Sequence, residues 1–211
     1  MYDKRSFIEF YCSLLKRKQI LIFTFCTNND YNSKLIKACL FFFSFSLYFT
    51  VNALFFNDLT MHKIYEGKGN FNIIHQISQI FYSSIISSFL QILIRFFSLS
   101  EKNIISLRNP AGNIKEKILS VLKCLKIKFF FFYLLLFLLL SLFWYYISCF
   151  CAVYKNTQNI LLQDTLMSFG LSMIYPIFLN VIPGIFRIPA LNNKNKCNEC
   201  LYQFSKILQL L

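Results

Sequence analysis

The sequence predicts an all-α fold, an integral membrane helical bundle with four transmembrane helices and a cytosolic helical hairpin. Three observations lead there. Of 211 residues, 56% are hydrophobic and 19% aromatic, more than ordinary globular domains carry. The run KFFFFYLLLFLLLSLFWYYISCFCAVYK, Lys128 to Lys155, holds 26 uncharged residues between its lysines. At about 1.5 Å per residue it reaches roughly 39 Å, past the ~30 Å hydrocarbon core of a bilayer. Third, Lys and Arg cluster in every second interval between apolar runs.

Residues 1–37 read as a cytosolic, basic, amphipathic segment lying at the interface. Ser6-x-x-Glu9 is a capping box, and Phe7, Phe10, Tyr11 and Leu14 follow at helical spacing, with Lys16, Arg17 and Lys18 beyond. The run Gln19 to Asn29 is too short to cross a bilayer and is expected in the interface. The first span, 38–57, carries no charge over ACLFFFSFSLYFTVNALFFN. The loop at 57–68 is expected to hold a short helix ended by Gly67 and Gly69.

The second span, 74–94, is more polar but still uncharged. From 95 to 128 apolar residues continue to Leu107 and resume at Ile114, Ile118, Leu119, Leu122 and Leu125, with the breaker NPAGN between them. That pattern predicts the helical hairpin, with Asn113 and Glu116 starting its second arm. The third span, 129–150, places Trp144, Tyr145 and Tyr146 where an aromatic belt belongs. The stretch 155–164 reads as barely a turn. The fourth span, 165–186, contains Pro176 and Pro183, both expected as kinks. Arg187 is the expected stop of that span. The tail 187–211 places Leu201, Phe204, Ile207, Leu208 and Leu211 along one helical face and is expected at the cytosolic interface.

Charge sets the expected orientation. Lys and Arg number seven before the first span, two, eight and one in the successive loops, and four after the last. By side this is 19 against 3, which predicts cytoplasmic N- and C-termini by the positive-inside rule. Six acidic residues share the basic side and three the other, so the whole net charge of +13 falls on one face. Its expected partner is the lipid bilayer, in particular anionic inner-leaflet lipid. A homo-oligomer or association with other membrane proteins is also compatible with the pattern. Nucleic acid is not an expected partner, because the lysines flank membrane segments and no binding motif accompanies them. A cleavable signal peptide is not expected, since the first long apolar run begins near residue 38.

No residue pattern points to a reaction or a cofactor, and the chain is read as no enzyme. Cys197-x-x-Cys200 supplies two of the four ligands of a structural zinc site, and His62 and His75 belong to the opposite side, so no metal is expected. Cys149 and Cys151 lie two apart, where helical side chains diverge. Cys39 and Cys124 sit next to the membrane on the basic side and are candidates for palmitoylation. The remaining candidate is a polar stripe. Gln79, Ser83, Ser87 and Gln91 recur every four residues along the second span. Ser168, Gly170 and Ser172 in the fourth are the candidate opposing surface. Small residues at such spacing let helices approach closely, and the alternative is a pore lining.

The stretches VNALFFNDLTMHKIYEGKGNFNIIHQI (Val51 to Ile77), SLSEKNI (Ser98 to Ile104), FWYYISCFCAVYKNTQ (Phe143 to Gln158) and YPIFLNVIPGIFRIPAL (Tyr175 to Leu191) are similar to a membrane region recurring in uncharacterised protist proteins. The resemblance implies a multi-pass unit that often closes a much longer chain with extracellular repeats, and it carries no catalytic residue. The expected function is therefore a non-enzymatic membrane module that anchors or assembles a complex. The alternative is a subunit of an oligomeric ion channel or transporter.

Overall fold

The structure, a computed structural model, describes residues 5–26, 31–56, 58–67, 73–105, 107, 114–192 and 196–208. Among these the fold is all-α, with no strand. Four helical stretches, Lys34–Phe55, Phe81–Ile105, Ile114–Val153 and Lys155–Ile188, are long and apolar enough to cross a membrane. The chain divides into two compact units, residues 29–170 and residues 1–28 with 171–211. These cut across the boundaries read from the sequence, because the N-terminal segment packs with the chain that follows Gly170.

In the unit of residues 29–170, α3 (Lys34–Phe55) is central. It packs against α5 (Ile73–Ser98) and α7 (Ile114–Val153). Its apolar window is 56% buried, against 17% for that of α7. The central position explains why α3 begins a turn earlier than the apolar run: Ile36 and Lys37 are already buried. α3 ends at Phe55, and the short helix expected at 57–68 is α4 (Asp58–Glu66), followed by a turn at Gly67. Gly69 lies outside the described residues.

The hairpin departs from two simple extensions of spans. α5 stops at Ser98, and a separate turn of helix, α6 (Glu101–Ile105), folds against α7. The stop is specified by hydrogen bonds. The Ser100 backbone N–H donates to Asn32 Oδ1 at 3.0 Å, and its hydroxyl donates to the Tyr31 carbonyl at 3.1 Å. Lys128 Nζ donates to the Leu99 carbonyl at 2.6 Å while lying over the Phe96 ring. A cation thereby meets the negative end of the α5 dipole. The NPAGN breaker falls outside the described residues. The second arm and third span are one unbroken helix of 40 residues, α7.

At the other end of this unit, Ala53, Phe56, Phe150, Ile160 and Leu161 form a core, with Met61 and Tyr146 packed on it. That core corrects the expected turn at 155–164. Only Lys155–Thr157 form a 3₁₀ turn, and α8 starts at Gln158 and continues to Leu179. Burial of Ile160 and Leu161 outweighs the polar look of the segment.

The second unit holds α1 (Phe7–Lys18), α2 (Ile20–Phe25), the end of α8, α9 (Val181–Asn192) and α10 (Lys196–Leu208). The capping box forms as read: Ser6 Oγ accepts from the Glu9 N–H, and Glu9 accepts from the Ser6 N–H at 3.0 Å. The fourth span is corrected. It is not one helix with two kinks but two helices separated at Asn180. Pro176 lies inside α8, whereas Pro183 occupies the first turn of α9. A helix has no use for an N–H there, so Pro183 starts a helix rather than bending one. α10 packs against α9, where the Phe204 ring of the expected apolar stripe meets the Phe186 ring edge-on at 5.3 Å while staying 45% exposed; Tyr202 and Ser205 are buried.

Candidate functional site

The polar stripe of the second span lies on α5, whose neighbours in its unit are α3 and α7. Ser83 and Ser87 are fully buried and Gln91 is half-buried. The Gln79 side chain lies outside the described residues. Ser87 Oγ is buried without a hydrogen-bond partner among the described residues. A hydroxyl in that state contributes by being small, which lets the helix backbones approach.

The expected opposing surface on α8 does not hold together as a stripe. Ser168 is fully buried, but it meets α3: Asn52 Nδ2 donates to Ser168 Oγ at 2.7 Å. Gly170 is not a close-packing position, because a Cβ there would meet nothing within 4 Å. Ser172 is half-buried and falls in the other unit. The physical reason is helical period. Ser168 and Ser172, four apart, share a face, whereas Gly170 points away from both, so one helix face cannot hold all three.

The polar groups that do come together were not singled out by the stripe. Asn52 on α3 and Asp164, Thr165 and Ser168 on α8 are all fully buried. The Ser168 hydroxyl donates to the Thr165 carbonyl at 3.2 Å, and Thr165 donates to the Leu161 carbonyl at 2.8 Å. Beside them Phe169 meets the rings of Phe41, Phe45 and Tyr48 at 5.5 to 5.7 Å. Such ring pairs add about 0.5–1.5 kcal/mol each beyond area burial. The result is a seam in which polar side chains tie α3 to α8 amid aromatic packing. A signal for it existed in the sequence: Asn52 is a polar residue near the end of an apolar run, and such residues are costly in a span unless they have work to do.

The contacts that tie the seam together are hydrogen bonds and ring contacts. Among the described residues no group of three His, Cys, Asp or Glu side chains could hold a metal ion. The described cysteines, Cys39 and Cys124 included, are free thiols, and the Cys197 side chain lies outside the described residues. His62 pairs with Glu66 at 3.2 Å on exposed α4.

In the other unit, Arg187, the expected stop of the fourth span, is buried. Its guanidinium lies 4.2 Å from the centre of the Phe10 ring and Nη2 donates to the Arg5 carbonyl at 3.2 Å. Nearby, the Tyr11 hydroxyl donates to the Ile177 carbonyl at 3.0 Å, serving one of the last carbonyls of α8. No family model, curated protein or solved structure matches the chain.

Proposed function

We propose that the protein is a non-enzymatic multi-pass membrane module that anchors or assembles a complex. Four spans cross the bilayer, both termini are cytoplasmic, and the basic face meets anionic inner-leaflet lipid. The unit belongs with the recurring protist membrane region that its sequence resembles. The observation that supports this most is the division of surfaces on α5 and α7. Their outward positions are large and apolar, with Phe89 64%, Phe96 73%, Phe130 64% and Phe137 69% exposed. Ser83 and Ser87 meanwhile are shut inside. Apolar faces of that extent belong against hydrocarbon. Hydroxyls buried between helices serve packing rather than a water-lined path within one chain.

The test is conductance of the purified protein in a planar bilayer, with its native mass in detergent recorded on the same preparation. Silence from a folded preparation keeps the module reading. Reproducible unitary currents from an oligomer replace it with a channel subunit.

A further inference from the structure

The first arm of α7 presents a surface that no described residue covers. α7 is continuous from Ile114 to Val153, with no proline or glycine in it. Where 129–150 spans, residues 114–128 must therefore leave the bilayer along the same axis and cannot fold flat onto the headgroups. Leu122 and Ile118 precede Lys128 by six and ten residues, which puts them roughly 9 and 15 Å beyond the hydrocarbon. The headgroup layer is only roughly 5–7 Å deep on each side, and an ordinary tilt of about 20° shortens those heights little. Both side chains stand in water.

They are nonetheless apolar and exposed: Ile118 39%, Leu119 58% and Leu122 57%. α6 covers a different side, where Asn103 Nδ2 approaches Cys124 Sγ at 3.9 Å. Lys115, Lys123 and Lys126, all exposed, surround the apolar positions. The arm carries five lysines against the single acidic Glu116. A second copy of this arm would bring like charges face to face, which disfavours self-pairing. An apolar helical stripe bordered by lysines instead suits a helix with an apolar face and a Glu- or Asp-rich border.

Resting on the membrane-module reading above, we infer that the exposed face of residues 114–126 docks an acidic amphipathic helix of a partner protein. The assembly partner of the module is thereby specified by chemistry: Lys115 and Lys123, above the headgroups, recruit protein, while the basic residues at headgroup level meet lipid.

The full chain is reconstituted in zwitterionic nanodiscs, one copy per disc, and titrated with a synthetic helix of about 20 residues, long enough to be helical in water. Leu lines one face of the probe, Glu borders it and Ala fills the outer face to keep like-charge repulsion low, and a scrambled sequence of the same composition is the control. Saturable binding is expected, weakened at least tenfold by the scramble, by Ile118→Gln with Leu122→Gln, and separately by Lys115→Glu with Lys123→Glu. Absence of binding, or equal binding of the scramble, overturns the proposal. A single cysteine replacing Leu122 in a cysteine-free variant gives a second readout. It is expected to react with a water-soluble maleimide and to be shielded by the probe. Shielding without probe in single-copy discs assigns the face to lipid, and shielding only in two-copy discs assigns it to a second chain; either result overturns the inference. The underlying reading fails differently, by release of the chain from membranes in alkaline carbonate.

Discussion

The phenyl ring of Phe7 lies directly over Gly184, with Cδ2 2.9 Å from where a β-carbon would stand. Three residues on, the Phe10 ring covers the Arg187 guanidinium at 4.2 Å. α1 and α9 thus meet on two rungs, one a ring on bare backbone and the other a ring on a cation. Gly184→Ala is expected to cost about 1–3 kcal/mol by overpacking. In the Phe7→Ala background the same change should cost much less, because the overlapping atoms are gone. Denaturant titration in mild detergent of the two single variants and the double variant measures the coupling.

The second rung predicts that Arg187→Lys is not conservative. A planar guanidinium stacks on a ring and reaches the Arg5 carbonyl at once, and an ammonium does not reproduce both. Desolvated cation–π contacts contribute about 2 kcal/mol. A loss of roughly 1–2 kcal/mol is expected in the same titration, and a change within error would show that the contact contributes nothing.

Ser87 separates packing from pore lining. Its hydroxyl is buried and makes no hydrogen bond among the described residues. Ser87→Ala is therefore expected to be neutral or to stabilise by up to about 1 kcal/mol, since a desolvated polar group is removed. Ser87→Leu should destabilise by about 1–3 kcal/mol through overpacking. If Ser87→Ala altered ion flux in reconstituted vesicles while stability held, the packing role would be wrong.

Local chemistry made part of this fold legible. The Ser6–Glu9 capping box and the 26 uncharged residues before Lys155 each name their structure without help from distant residues. The start of α8 was hidden. Gln158, Asn159, Gln163 and Asp164 look like a loop, and only burial of Ile160 and Leu161 against Ala53, Phe56 and Phe150 makes the segment helical. Pro183 misled for a different reason: its meaning depends on whether a helix starts just before it, which the break at Asn180 decides. The Asn52–Ser168 bond joins residues 116 apart, and no local spacing announces such a pair. Gly170 shows the converse error, a small residue that suggests close approach and faces open space.

The Asn52–Ser168 pair itself is expected to couple measurably. Hydrogen bonds between membrane helices contribute about 0.6 kcal/mol on average and up to about 1.7. A cycle of Asn52→Ala, Ser168→Ala and the double variant should give a coupling in that range, toward the upper end because both groups are fully buried. A coupling indistinguishable from zero would mean that each group finds another partner when the first is lost.

The orientation carries the largest charge asymmetry in the chain and the simplest test. With 19 basic residues expected on one side and 3 on the other, insertion the other way would carry the Lys-rich arm of α7 and both terminal segments across the membrane. Leu59 on α4 and Leu119 on α7 are 71% and 58% exposed, so a cysteine at either is open to reagents from its own side. In a cysteine-free variant, Leu59→Cys should react with a membrane-impermeant maleimide on intact cells, or on the corresponding face of sealed vesicles. Leu119→Cys should react only after permeabilisation. The reverse pattern would invert the topology and turn the basic face outward. Reaction of both without permeabilisation would place α4 and the α7 arm on one side and overturn the proposed single crossing by α5 between them.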